Sequence, residues 1–382
     1  MMKRCILLSL GLFLQSCSHI DDYLLGKDNI KNETPLVNTT PLSELREKWF
    51  IVTGNANNDV SNIKLKPVIV SDNIYAATPD GSVQARDRRT GKLIWSKKIQ
   101  KSIISGLAIG QGYIAVTTST AKLVLLKQDQ GQDVWQVNLA AEAISNPIIY
   151  QNRVIIKTIN GNLYAFNLLN GTRLWVNEHG APPISMKVSS SPVIAEQQIL
   201  AGFSDGKLDA VNLHNGNLIW QRSINYPRGA SDIDRLIGID ADPVVINHKL
   251  YLATYQGYIG ALSLKTGQFI WKKSVSTYKN FIIDQNLLYI TDSDDVIWAF
   301  RLKDGRVQWK QPALQGRRVT EPAMFRHQLV VGDKSGYLHI LSTETGKFVS
   351  RNKLSGSIVV APVATSNNLY VLTSNGKLYN LV

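Results

Sequence analysis

The sequence predicts an all-β fold: an eight-bladed β-propeller of four-stranded antiparallel blades, closed into a ring by an N-terminal strand. Three observations predict it. First, a turn glycine followed four residues later by tryptophan recurs as Gly91/Trp95, Gly131/Trp135, Gly171/Trp175, Gly216/Trp220, Gly267/Trp271 and Gly305/Trp309, and a seventh time as Gly346/Ser350 with the Trp lost. The glycines are 40, 40, 45, 51, 38 and 41 residues apart, a period that marks a repeat architecture. Second, each repeat holds short runs rich in β-branched and aromatic residues, bounded by Asp, Asn and Gly turns, which is a strand-and-hairpin signature. Third, the last repeat stops one strand short after Lys377-Leu378-Tyr379-Asn380-Leu381-Val382. The missing strand is the one that carries Trp, and Glu47-Lys48-Trp49-Phe50-Ile51-Val52 has its pattern without a preceding repeat.

The chain has 382 residues, 44% hydrophobic and 19% charged, a composition that buries a core. The formal charge is +13, and +11 without Lys3 and Arg4. No block of five or six like charges occurs, so the basic residues read as a solvated surface rather than a nucleic-acid stripe. The two cysteines are Cys5 and Cys17. A disulfide scaffold, a thiolate zinc site and a cysteine nucleophile are therefore excluded from the folded body.

Residues 1–16 read as a lipoprotein signal peptide. Lys3 and Arg4 precede the apolar run from Ile6 to Leu14, which is too short to span a bilayer comfortably. It ends in Leu14-Gln15-Ser16-Cys17, which resembles a bacterial lipobox with Cys17 as the lipidated residue. Multiple acyl chains make such an anchor stable. Residues 17–41 then form a lipidated flexible tether. Its span from Ser18 to Pro41 has a root-mean-square reach of roughly 27 Å as a coil and is expected to be poorly ordered. Ser18, rather than Asp, after the cysteine favours the outer membrane.

Residues 42–382 form the propeller. The first unit opens at Pro67, runs through Thr78, turns at Pro79-Asp80-Gly81, continues from Ser82 to Asp87, turns at Thr90-Gly91 and ends at Lys97. This gives three hairpin-linked strands, with a fourth expected near Ile103 to Ile109. Equivalent units open at Pro147, Pro192, Pro243, Pro322 and Pro362, and without Pro near Gly106 and Phe281. Proline lacks the ladder N–H and suits the first residue of a strand. A strand completing the last unit closes the ring and removes exposed edges, whereas a linear solenoid needs capping repeats. The repeated tryptophans Trp49, Trp95, Trp135, Trp175, Trp220, Trp271 and Trp309 are structural: one large ring per blade packs between neighbouring sheets. At Ser350 that joint is either looser or filled from elsewhere.

The two longest spacings mark insertions, which in repeat proteins map to loops on a binding face. One contains Ile184-Ser185-Met186-Lys187. The other contains Arg228 and the segment Asp234-Arg235-Leu236-Ile237-Gly238-Ile239-Asp240. Two readings stand side by side: a protein-contact patch, or solvated loops with Asp234 and Arg235 paired locally.

The Gly-Lys-Leu-Ile-Trp repeats resemble the quinoprotein-type β-propeller repeat from Trp49 to Val382. Together with the lipobox, the chain resembles the BamB family, lipoproteins of the outer-membrane β-barrel assembly machinery. Ile233-Asp234-Arg235-Leu236, Asp242-Pro243-Val244-Val245 and Val331 to His339 carry that resemblance. It implies a non-catalytic scaffold at the periplasmic face of the outer membrane, without cofactor or metal. Its partner would be the periplasmic POTRA domains of BamA, with unfolded outer-membrane protein precursors as further candidates. The family's contact pattern falls on Ile184, Met186 and Lys187 in the first loop and on Asp234, Arg235 and Asp240 in the second, where Arg228 is counted as well. Lys187 stands where Arg is typical, which weakens bidentate pairing, and Gly238 stands where a further acid is typical. The competing functions are a quinone-dependent dehydrogenase and a generic periplasmic binding propeller. The body has no cysteine pair, no compact calcium-ligand set, no His-x-x-x-His spacing, and no Gly-x-Ser-x-Gly or phosphate-loop fingerprint.

Overall fold

The structure is a computed structural model that describes residues 32–36, 45–54, 65–180, 188–226 and 236–382. These contain 32 strands in eight four-stranded antiparallel sheets. Blade 1 comprises Val68–Val70, Asn73–Ala77, Ser82–Asp87 and Leu93–Lys98, here strands A to D, and blades 2 to 7 repeat this order along the chain. Strands A of neighbouring blades contact one another and so line the ring axis, leaving strands D at the rim. In blade 8, Val363–Ala364, Leu369–Leu372 and Lys377–Leu381 are joined by Glu47–Val52 as strand D. The ring is closed as the displaced Trp49 strand predicts.

One expectation is corrected. The run from Pro67 to Thr78 is two strands, split at Ser71-Asp72, and the strand near Ile109 (Ala108–Gly110) opens blade 2. The turn was concealed because these A–B hairpins use left-handed backbone without the usual glycine signal. Gln151/Asn152, Glu196/Gln197, Asn247/His248 and Arg326/His327 all have φ between 44° and 63°. That is the mirror-image turn that matches strand twist.

The Gly-x-x-x-Trp motif turns out to address two neighbours at once. Each tryptophan lies over the turn glycine of the following blade. A Cβ on Gly131 would come within 2.6 Å of the Trp95 ring, one on Gly305 within 2.4 Å of Trp271, and one on Gly346 within 2.5 Å of Trp309. The same glycines hold φ near +67°, which glycine adopts without strain. The indole N–H then donates to a carbonyl in that turn: Trp95 to Gln128 at 3.1 Å, Trp135 to Leu168 at 2.8 Å, Trp309 to Thr343 at 2.7 Å. Trp49 repeats this across the closure, donating to Arg89 O at 2.9 Å and covering Gly91. Within its own blade Trp95 is paired with Ala85 beside a register shift, and the other C–D pairs shift at the same place. The bulge bends the edge strand and re-aims its side chain, here towards the next blade. At blade 4 the neighbouring Arg222 shares the role, donating to Thr266 O at 3.0 Å.

Ser350 now has a physical account. The next blade after it is blade 8, whose C–D connection is the junction of the two chain ends, so there is no glycine turn to cover. Leu45 fills the joint instead, packing with Val349 and exchanging hydrogen bonds with the Asn352 side chain at 3.4 and 3.0 Å. Ser350 is fully buried.

Around the axis, the residue two positions before strand A links blades 2, 3, 4 and 5 each to the next blade. Gly106 N–H donates to Asn146 Oδ1 (2.7 Å), Asn146 N–H to Ser191 Oγ (3.1 Å), Ser191 N–H to Asp242 Oδ1 (2.6 Å) and Asp242 N–H to Asn280 Oδ1 (2.7 Å). Where the following residue is proline, this N–H is the last donor before the strand.

The expected free tether also differs. Within residues 32–36, Thr34 N–H donates to Gln315 O at 3.0 Å, Glu33 pairs with Arg317 at 3.2 Å, and Leu36 packs on the cluster around Trp309 and Leu314. This piece of the chain is held at the joint of blades 6 and 7.

Candidate interface

The two insertions are D-to-A connections, from blade 3 to 4 and from blade 4 to 5, so both lie on one face of the ring. Ile184, Ser185, Met186 and Lys187 in the first, Arg228, Asp234 and Arg235 in the second, and Cys17 lie outside the described residues. The roots of both loops are described, and they meet on blade 4. Its B–C turn runs from Phe203 to Gly206. The second loop returns through Ile237-Gly238-Ile239, where Ile239 N–H donates to Phe203 O at 3.1 Å and Tyr255 N–H donates to Gly238 O at 2.9 Å. Ile239 packs so closely that a Cβ on Gly202 would sit 2.4 Å from its side chain, and Ile237 covers Gly206 in the same way at 2.8 Å. The loop leaves blade 4 at Asn225, whose amide donates to Tyr255 O and Gln256 O at 3.3 and 3.2 Å. Tyr226 beyond it is 63% exposed. Asp240 is 2% exposed, so it supports the loop from beneath and presents no open carboxylate. A Cβ on Gly238 would meet the Asp240 carboxylate at 2.4 Å.

The first loop leaves blade 3 at His179, the residue that opens the first insertion and to which the sequence assigns no role. Its ring lies flat on Phe203, with centroids 3.7 Å apart and planes 3° from parallel. Nδ1 is 2.6 Å from Asp209 Oδ2 and Nε2 is 3.1 Å from Asp205 Oδ2. Burial works against the charge, yet two carboxylate partners raise its pKa to about 9, and Asp205 is lowered to about 2 by His179 and Lys207 against the same burial. On the far side, Lys157 Nζ sits 5.3 Å from the Phe203 centroid and donates to Gly202 O. A sequence signal existed. The position just after strand D is aliphatic in five other blades, as Ile99, Leu139, Ile224, Val275 and Leu354, and Asp209 stands in strand C where blade 2 has Val124.

A second polar joint, between blades 6 and 7, holds the tether piece. His339 occupies in blade 7 the strand position that Asp209 occupies in blade 4. Its Nε2 is 2.9 Å from Asp333 Oδ2, and Arg351 Nε donates to Nδ1 at 3.1 Å. Since arginine only donates, Nδ1 is the acceptor, Nε2 carries the proton and the ring is neutral. Burial lowers its pKa, followed by the opposing pull of Asp333. Arg317 joins Asp333 (2.8 Å) to Glu33 (3.2 Å) and Thr34 O (3.3 Å).

An eight-bladed propeller with tryptophan-docked blades and two converging insertions on one face belongs to the quinoprotein-like repeat class. The model of the family described as outer membrane protein assembly factor BamB matches residues 79–311. The chain is 47% identical to the outer membrane protein assembly factor BamB of Legionella pneumophila (strain Paris), over 99% of this chain and 98% of that protein. It is 30% identical to the protein of the same name from Escherichia coli (strain K12), over 94% and 95%. The chain belongs to the BamB family. Among solved structures, BamB from Moraxella catarrhalis superposes with a TM-score of 0.80 at 24% identity, covering 88% of this chain and 99% of that one. Quinohemoprotein alcohol dehydrogenase from Comamonas testosteroni reaches 0.71 at 12% identity, covering 88% and 76%, and shares the fold alone.

Proposed function

We propose that this chain is a non-catalytic scaffold of the outer-membrane protein assembly complex, lipid-anchored through Cys17 to the periplasmic face of the outer membrane. It docks on the periplasmic POTRA domains of BamA and assists folding and insertion of β-barrel precursors. Relatives over nearly the whole chain are named assembly factors, and the family's contact residues fall on the two insertions. The observation that carries the reading is the convergence of both loop roots on Phe203 of blade 4. The two sequence-distant segments thereby leave and rejoin the ring at neighbouring points on blade 4. Ile184 and Met186 supply apolar anchors, Lys187, Arg228 and Arg235 cations, and Asp234 an acid, a mixture suited to a protein hot spot with a polar rim. Buried Asp240 holds the second loop in place.

Capture by detergent-solubilised BamA tests this. The double variant Asp234→Ala/Arg235→Ala is expected to lose at least tenfold in capture with an unchanged melting temperature. Undiminished capture removes the second loop from the interface.

A further inference from the structure

The proposed contact residues lie further along the loops and leave no role for His179, which stands at the root of the first. Its surroundings are unusual for this ring. Five other blades place an aliphatic side chain at the same repeat position. Blade 3 instead places an imidazole whose side chain is 2% exposed, gripped at both nitrogens by carboxylates of the next blade. Asp209 is itself 2% exposed, and its Oδ1 is buried without a hydrogen-bond partner among the described residues. An apolar pair would fill this space without the desolvation of two buried ionisable groups. The polar arrangement supplies direction, which apolar packing does not: two hydrogen bonds and a parallel ring contact fix the imidazole in all three rotations. Gly180 follows at once, its carbonyl seated where a Cβ on Gly161 would lie 2.1 Å away, and His179 N–H donates to Gly161 O at 3.2 Å. The chain therefore leaves blade 3 along a line set on both sides. Phe203, under the imidazole, is also the residue whose carbonyl receives the returning second loop.

We propose that His179 is a positioning residue for partner binding: an imidazole peg, clasped by Asp205 and Asp209 on Phe203, that fixes the point at which the chain leaves blade 3 and couples that exit, through Phe203, to the return of the second loop at Ile239. This rests on the proposed role of those loops. The charged groups facing the peg are Asp205 and Asp209 directly, Lys207 through Asp205 at 3.0 Å, and Lys157 across the Phe203 ring. The peg is therefore cationic at neutral pH and becomes neutral as the pH passes about 9, when one of its two nitrogens stops donating to its carboxylate.

The test uses the full chain as wild type, His179→Gln and Asp205→Asn; the second keeps the buried His179–Asp209 contact should the first fold poorly. Hydrogen exchange of peptides covering 179–190 is measured from pH 7 to 10, corrected for intrinsic rates, alongside affinity for detergent-solubilised BamA. The expected result is at least tenfold faster exchange of the His179 and Gly180 amides in both variants at pH 7. The wild type should reach the variants' level above pH 9, and BamA binding should be about tenfold weaker in the variants. Equal exchange in wild type and variants, or a wild-type profile that is flat through pH 9, overturns the peg. Faster exchange with unchanged BamA affinity overturns its coupling to binding. If wild type fails to bind BamA at all, the contact reading fails while the exchange data still decide the peg.

Discussion

Two histidines, each almost wholly buried at a joint between blades, end in opposite charge states. His179 joins blades 3 and 4 with a carboxylate at each nitrogen; His339, in blade 7, has a carboxylate at one and an arginine at the other. Burial disfavours the cation in both, and it is the first cause at both sites. The sign of the second partner decides the result. At 179 two anions outweigh desolvation, whereas at 339 Arg317 and Arg351 add to it. In one ring of near-identical blades, the same residue type thus serves as a charged peg and as a neutral relay.

The comparison breaks most severely at Asp333. Asp333→Ala removes the acceptor of His339 and of Arg317 Nε, leaving a buried guanidinium with only Glu33 and Thr34. Loss of one partner from a buried pair is expected to reduce stability by about 3–5 kcal/mol, measurable by urea unfolding.

The next effect is a difference in slope. His179 is raised from 6.5 to about 9, so its contribution is complete below pH 6.5 and is lost as the pH climbs through 9. The span corresponds to roughly 3 kcal/mol. His339 is lowered, so its site resists protonation, and stability falls as the pH drops below 6.5. Unfolding free energies across pH 5–10 should therefore fall at both ends, with His179→Gln flattening only the alkaline limb. A smaller effect sharpens the assignment: Arg351→Met removes the cation facing His339 Nδ1, and the imidazole midpoint read by NMR should move up, with stability altered by about 1 kcal/mol. The smallest concerns Glu33, half-exposed in its pair with Arg317. Glu33→Ala should change the melting free energy by less than about 1 kcal/mol while speeding proteolysis near residue 33.

Much of the ring was legible in advance because its signals repeat. The glycine and tryptophan spacing gave the blade count, and the stray Trp49 gave the closure. What escaped had no local signature. The A–B turn of blade 1, Ser71-Asp72, lacks glycine, so Pro67 to Thr78 read as one strand. Ser350 looked like a defect until the absence of a neighbouring glycine turn made it complementary to Leu45. The peg at His179 is visible only as a departure from the aliphatic residues of the other repeats, and its partners Asp205 and Asp209 lie 26 and 30 residues further on. The segment Glu33 to Leu36 reads as coil by composition, and only its distant partners at Gln315 and Arg317 hold it.

The closure also sets an order of events. Trp49 pairs with Asn380, so the strand synthesised before the rest of the ring is the last to find its mate. During folding, Glu47–Val52 waits as an unpaired edge, with Phe50 and Val52 among its most exposed side chains even in the finished ring. Such an edge invites mispairing until the final blade arrives. A member of an outer-membrane protein assembly family therefore passes through an unpaired-strand stage of its own, which ends only when Glu47–Val52 meets Lys377–Leu381.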